Sequence, residues 1–176
     1  MHTGILLAVT AQSAKEAVDK VNNWNEYGAG WSDWSEHGGR WSDELPDNVL
    51  CYEDNPELFQ KKIAEYKQFT QATIERDLEG IKDLTIEELV TNKRYSFANS
   101  YSAETSELTK DEKQQALSDS LALFRAKKLL SIVHDDFTSE QHFYDIEDYT
   151  AETDDLNKRI ESDPTQQYLV IWDYHH

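Results

Sequence analysis

The sequence predicts an α+β fold: a small antiparallel or mixed sheet formed by N- and C-terminal strands, with three or four helices packed on it. Apolar runs of strand length stand near both ends of the chain, at residues 4–10 and 168–172. Between them, helix-capping signals precede apolar residues at helical spacing. A chain of 176 residues with 11% aromatic side chains can build a packed core. We therefore expect a single α+β domain over residues 1–176.

Local signals mark the elements of the N-terminal half. Ser13-Ala-Lys-Glu16 is a capping box after the first strand, and its helix should end near Trp24. Residues 49–52 are apolar and predict a short second strand. Asn55 and Pro56 combine an N-cap with a proline at the first helical position, which predicts a long amphipathic helix that ends near Gly80.

The rest of the chain carries two further capping boxes, at residues 85–88 and 109–112, and each predicts a helix. The small, polar residues 95–106 between them predict a loop. Residues 129–133 either finish the second of these helices or begin a strand, because their period fits both. Residues 142–146 predict a strand, and the β-branched and aromatic residues 168–172 predict the last one.

The charge balance restricts the partners that the surface can bind. Lys and Arg number 17 against 35 Asp and Glu, so the formal net charge is −18. This field opposes binding to DNA, RNA or anionic lipid, and we expect no direct nucleic-acid binding and no membrane association. Eleven acids and two bases lie within residues 135–163. That stretch is either a solvated acidic face or a mimic of nucleic acid.

Cysteine usage and the N-terminal region favour a cytoplasmic location. Cys51 is the only cysteine, so no intrachain disulfide can form. The first apolar run is too short for a signal peptide or a membrane span.

A segment rich in tryptophan and glycine follows the first predicted helix. Residues 24–41 contain four of the five tryptophans and four of the six glycines of the chain. Tryptophan needs burial and a partner for its N–H, and glycine costs backbone entropy unless an unusual dihedral angle or a close approach requires it. The segment is therefore either a rigid, densely packed loop or one that faces a ligand.

The sharpest candidate site is His37-Gly38-Gly39-Arg40-Trp41. Paired glycines allow backbone amides to converge on an anion, arginine offers a planar fork to phosphate or carboxylate, and tryptophan offers a face to a base or a cation. The same residues also fit a tight turn in which Arg40 stacks on a tryptophan and pairs with a neighbouring acid.

A second candidate lies on the last predicted strand. Asp173 and His175 are two residues apart, so their side chains share a face of the sheet. Such a pair can bind a divalent metal or orient one imidazole tautomer, and His2, His37, His134 and His142 are further imidazoles. Because one Asp and one His make only half a metal site, we assign no metal and no cofactor. The candidate ligand-binding residues are Trp34, His37, Gly38, Gly39, Arg40, Trp41, Asp173 and His175.

With Asp33-Trp34-Ser-Glu-His-Gly38-Gly39-Arg40-Trp41-Ser42 and the terminal Asp173-Tyr-His175, the chain resembles a loose group of small uncharacterised proteins of phage and prophage genomes. Members carry an aromatic-rich Asp-Trp-x-x-x-Gly-Gly-Arg-Trp/Tyr segment after the first strand and helix, and they end in a strand running into Asp-x-His. The resemblance implies a phage or mobile-element context. It also implies that the Gly-Gly-Arg-Trp turn and the terminal strand meet in space.

These observations favour a phage-type binding or interaction protein over an enzyme. Arg40, Trp41 and His175 would line a shallow site for a host or phage protein or for a small anionic metabolite such as a nucleotide. One alternative is a metal-dependent hydrolase or nuclease that uses Asp173 and His175. The other alternative is an acidic nucleic-acid mimic that inhibits a DNA-binding protein through residues 135–163.

Overall fold

The computed structural model describes residues 2–28, 32–82 and 141–175, and in addition Ala126, Leu129, Ile132, His134, Phe137 and Thr138. In chain order the elements are β1 (His2–Thr10), α1 (Ala14–Gly28), β2 (Trp34–His37), β3 (Val49–Cys51), α2 (Pro56–Ile81), β4 (Phe143–Asp145), α3 (Asp154–Ser162) and β5 (Gln167–His175). Short 3₁₀ turns lie at Gly39–Trp41, Pro46–Asn48 and Pro164–Gln166.

The strands form one mixed sheet in the order β2-β5-β1-β4, with β3 also paired to β5. The two terminal strands are antiparallel and pair along their whole length, from His2 opposite His175 to Thr10 opposite Gln167. β4 runs parallel to β1, and β2 and β3 run antiparallel to β5. The predicted α+β class, with a mixed sheet of terminal strands and helices packed on it, is confirmed.

Both faces of the sheet are covered. The α1 face carries the side chains of β1 and β5 that pack with α1; they include Ile5, Leu7, Val9, Val170, Trp172 and Tyr174. The α2 face carries the alternate side chains, which pack with α2 and α3; they include Leu6, Ala8, Leu169 and Ile171. Because successive strand residues point to opposite faces, His2, Gly4, Asp173 and His175 continue the α2 face toward one end of the sheet.

Contacts divide the chain into two compact units, residues 1–72 with 131–176 and residues 73–130. The sheet, α1, α3 and the first part of α2 belong to the first unit. The end of α2, with Ala126 and Leu129, belongs to the second. The single domain over residues 1–176 stays a prediction, because this division does not test whether the units fold independently.

Most local predictions for the described residues are confirmed. The capping signals at Ser13 and Asn55 precede α1 and α2, and residues 49–52 and 142–146 contain β3 and β4. Leu129 and Ile132 are helical, which favours the helical alternative for that stretch. The capping boxes at 85–88 and 109–112 and the loop at 95–106 lie outside the described residues.

Three elements differ from the prediction. α1 continues beyond Trp24 to Gly28, because Trp24 packs edge-to-face on Phe137 at 4.6 Å and the helix is held by tertiary contacts there. β2 was not predicted, since Trp34–His37 contains no β-branched residue. α3 was not predicted either, because a nine-residue helix shows its period only through Leu156 and Ile160.

Candidate functional site

The tryptophan- and glycine-rich segment docks on the last strand. Trp34 pairs with His175 and Glu36 pairs with Asp173 where β2 meets β5. After β2 the chain turns back over the same strand, and the Gly38 N–H donates to the Ile171 carbonyl at 3.0 Å. The predicted meeting of the Gly-Gly-Arg-Trp turn with the terminal strand is therefore present in the structure.

The two adjacent glycines allow this turn to lie close to β5. Gly38 and Gly39 have φ angles of 71° and 52°, a region that favours glycine. A Cβ atom on Gly39 would lie 2.5 Å from Cβ of Asp173, and one on Gly38 would lie 2.4 Å from Nδ2 of Asn48. The glycines therefore serve the packing of the turn.

Trp41 serves packing as well. Its indole lies so close to β1 that a Cβ on Gly4 would come within 2.4 Å of it. The ring also packs against the buried cluster of the α2 face. Trp41 therefore fastens the 3₁₀ turn Gly39–Trp41 to the sheet.

Asp173 is the buried polar centre of the site. It is fully buried on β5, and both carboxylate oxygens lie 3.1 Å from Nδ1 of His2. Its Oδ2 also accepts the backbone N–H of Arg40 at 3.1 Å. Because an ionised carboxylate only accepts hydrogen bonds, this network assigns the proton of a neutral His2 to Nδ1 and leaves Nε2 as the acceptor. The carboxylate thus orients one imidazole tautomer, as the sequence suggested, but the imidazole is that of His2.

Two aromatic rings, those of Trp34 and His175, lie beside the His2–Asp173 pair at the end of the sheet. Trp34 stacks on His175 with ring centroids 5.5 Å apart and planes 9° from parallel. His2 meets both rings edge-on, at 5.4 Å from Trp34 and 5.0 Å from His175. Trp34 is 43% exposed, so part of its surface is open to solvent. We call the end of the sheet that carries His2, Trp34, Arg40, Asp173 and His175 the sheet end.

His175 has a buried nitrogen without a hydrogen bond. Its Nδ1 is inaccessible to solvent and has no hydrogen-bond partner among the described residues, although Oδ2 of Asp33 lies 3.4 Å away. The distance is that of an ion pair, and the contact does not have hydrogen-bond geometry. Asp33 is held beside His175 by its backbone N–H, which donates to the His175 carbonyl at 2.8 Å.

Arg40 combines a backbone N–H held by Asp173 with an exposed side chain. Its N–H is bound by Asp173, yet its guanidinium is exposed and forms no ion pair within the part of the chain that the structure describes. The predicted alternative, in which Arg40 pairs with a neighbouring acid, is therefore not seen among those residues.

His37 lies apart from the other candidates. It pairs with Trp172, and its ring packs against Trp172 at 5.6 Å on the α1 face. Its Nε2 lies 3.3 Å from the carbonyl oxygen of Asn48. The structure thus brings Trp34, the turn, Asp173 and His175 together and leaves His37 on the opposite face of the sheet.

The remaining sequence candidates have structural partners. Nowhere in the described residues do three or more His, Cys, Asp or Glu side chains form a group that could hold a metal ion. Within the acidic stretch, Asp145 and Asp148 are both paired with Arg159 of α3. Cys51 is a buried free thiol whose Sγ lies 3.5 Å from the Thr165 carbonyl.

Along the described ranges, no helix has both the length and the apolarity needed to cross a bilayer.

No family model, curated protein or solved structure matches this chain. The chemistry of the site therefore follows from its geometry alone.

Proposed function

We propose that this is a non-enzymatic binding protein of phage type, whose site at the sheet end takes a small, planar anionic ligand such as a nucleotide. The observation that carries the proposal is the exposed guanidinium of Arg40, which has no ion pair among the described residues, in a chain with about twice as many acids as bases. Arginine donates two parallel hydrogen bonds to phosphate or carboxylate, so a free guanidinium suits an anionic group.

Trp34 supplies the second contact. Its indole is braced by His175 on one side and remains 43% exposed, so it can stack on a nucleobase. Arg40 is fixed at Asp173 and Trp34 at His175, two residues apart on β5. Two strand residues span about 7 Å, which suits a ligand that has a ring at one end and an anion at the other.

Two alternatives need carboxylates that already have partners in the structure. For a hydrolase that uses Asp173 as a metal ligand, both carboxylate oxygens already lie at hydrogen-bond distance from His2. For a nucleic-acid mimic, Asp145 and Asp148 of the acidic stretch already share the single positive charge of Arg159. A host or phage protein that presents a carboxylate or phosphate could use the same two side chains, those of Arg40 and Trp34.

We place the protein in the cytoplasm, of the host if it is phage-encoded, where the free thiol of Cys51 stays reduced.

Tryptophan fluorescence tests this proposal. Titration with AMP, GMP, CMP, UMP and inorganic phosphate should quench the emission with at least one nucleotide, and the quenching should be lost in Trp34→Phe. A hydrogen bond to a charged group contributes about 1.5–3 kcal/mol, so Arg40→Ala should weaken binding about 10- to 150-fold. Arg40→Lys should restore only part of the affinity, because lysine lacks the planar fork.

The matched control is Lys158→Ala, which removes an exposed cation from α3 without changing the sheet end. Its affinity should equal that of the unmodified protein. Unchanged emission across the whole panel, or equal affinity in Arg40→Ala, would contradict the proposal.

A further inference from the structure

We propose that His2 and His175 form a binding site for one zinc-like divalent ion, with Asp33 as a further ligand and Asp173 as the group that orients His2. This inference does not rest on the proposed function, because it uses neither Arg40 nor the exposed surface of Trp34. It differs from the metal site suggested by the sequence, in which Asp173 itself was a ligand.

The two imidazoles are placed by the sheet. His2 and His175 are directly opposite residues of β1 and β5, and their ring centroids are 5.0 Å apart. With Zn–N bonds of about 2.1 Å and tetrahedral angles, two imidazoles on one zinc have centroids about 5 Å apart. Imidazole is a preferred ligand of zinc, nickel and copper, so two imidazoles at this spacing suit these ions.

Asp173 gives His2 the tautomer that a metal requires. The fully buried carboxylate holds Nδ1 of His2 at 3.1 Å, so Nε2 keeps the lone pair. Histidines that bind metals commonly donate their other ring N–H to a carboxylate in this way, and the carboxylate fixes the orientation of the ring. Asp173 is therefore a positioning residue.

His175 and Asp33 provide the independent observation. Among the described residues, Nδ1 of His175 is buried without a hydrogen bond, and Oδ2 of Asp33 lies 3.4 Å from it. Buried polar atoms are nearly always hydrogen-bonded, so among the described residues Nδ1 of His175 lacks the partner that such an atom usually has. Bonds of about 2.1 Å at tetrahedral angles separate two zinc ligands by about 3.4 Å, so one ion can bind both atoms.

The ligands do not stand as a preassembled group of three, among the residues that the structure describes. The side chain of Asp33 is 74% exposed, so it can turn onto the ion at little steric cost. The remaining coordination position is then left to water or to an exogenous ligand.

Calorimetric titration of the full chain with ZnCl₂ tests the inference. One Zn²⁺ should bind per chain, Mg²⁺ should not bind, and the melting temperature should rise in a way that EDTA reverses. His2→Gln and His175→Gln should each weaken Zn²⁺ binding at least tenfold. Asp173→Asn should weaken it about 10- to 100-fold, the usual effect of removing a carboxylate behind a metal-bound histidine.

Two controls separate this site from other histidines. His134→Gln replaces an exposed imidazole and should leave Zn²⁺ binding unchanged. His176→Gln should also leave it unchanged, which excludes chelation by the terminal His175-His176 pair alone. Circular dichroism of each variant checks its fold, and zinc-induced shifts of the His2 and His175 ring protons in the unmodified protein give a readout without any substitution.

Failure of Zn²⁺ to bind the unmodified protein, or equal affinity in a folded His2→Gln variant, would overturn the inference. Arg40→Ala should bind Zn²⁺ normally, and EDTA-treated protein should still bind nucleotide. The two proposals can therefore fail independently.

Discussion

Gly39 is the residue on which the geometry of the sheet end depends most directly. Its φ of 52° and the distance of 2.5 Å from an added Cβ to Cβ of Asp173 both oppose any side chain. Gly39→Ala should lower the free energy of unfolding by about 2–4 kcal/mol, because left-handed strain adds to the steric displacement of the turn. Urea denaturation of the variant measures this loss.

Gly80→Ala is the matched control for Gly39→Ala. Gly80 lies near the end of α2 with helical backbone, where alanine is favoured over glycine. The same substitution should therefore raise the free energy of unfolding by up to about 1 kcal/mol. Equal effects at the two positions would show that close approach to Asp173 does not constrain Gly39.

His2 shows which part of the candidate site a sequence cannot supply. The alternation of strand residues predicted correctly that Asp173 and His175 share a face. The hydrogen bond between Asp173 and His2 joins residues 171 positions apart, and only the register of β1 on β5 creates it. The sequence did contain a signal for this contact. Antiparallel pairing of the first and last predicted strands along their whole length places residue 2 beside residue 175.

Among the elements, α3 is a short helix that the sequence did not predict, yet it supplies the partner of a buried acid. It brings Arg159 to Asp145, which is fully buried on β4. Burial raises the pKa of Asp145, and the hydrogen bond and charge of Arg159 oppose this rise only in part. The native protein therefore binds a proton at Asp145 more readily than the unfolded chain does.

This raised pKa predicts a pH dependence of stability. An acid whose pKa is raised on folding destabilises the native state as the pH rises above its unfolded value of about 3.9. We expect the free energy of unfolding of the unmodified protein, relative to Asp145→Asn, to fall as the pH rises above about 4. Urea denaturation of both proteins at several pH values measures this difference. A difference that increases with pH would show that Arg159 outweighs the cost of burial.

The local predictions succeeded where a single capping bond begins an element. Asn55 Oδ1 accepts the Leu58 N–H at 3.0 Å at the start of α2, as the Asn-Pro pair indicated. At α1 the Glu16 N–H donates to Ser13 Oγ, but the Glu16 carboxylate accepts from Gln12. β2 has no such signal, because its position is determined by pairing with β5 and stacking on His175.

At the scale of the whole molecule, the net charge of −18 should limit stability through self-repulsion. Exposed ion pairs such as Lys61–Glu65 and Lys158–Asp155 contribute about 0–1 kcal/mol each and are screened together with the repulsion. Raising NaCl from 0.1 M to 1 M shortens the Debye length from about 10 Å to about 3 Å. We expect the melting temperature to rise by several degrees, as measured by calorimetry. A fall would show that favourable ion pairs dominate.

The full-length pairing of β1 with β5 has a practical consequence for work with this protein. Because residues 2 and 175 lie side by side, a short peptide engineered between these two residues would close the intervening backbone into a ring. An affinity tag attached next to residue 2 or residue 175 would lie beside His2, Trp34 and His175. A polyhistidine tag would compete there for metal ions, so it should be cleaved before any titration.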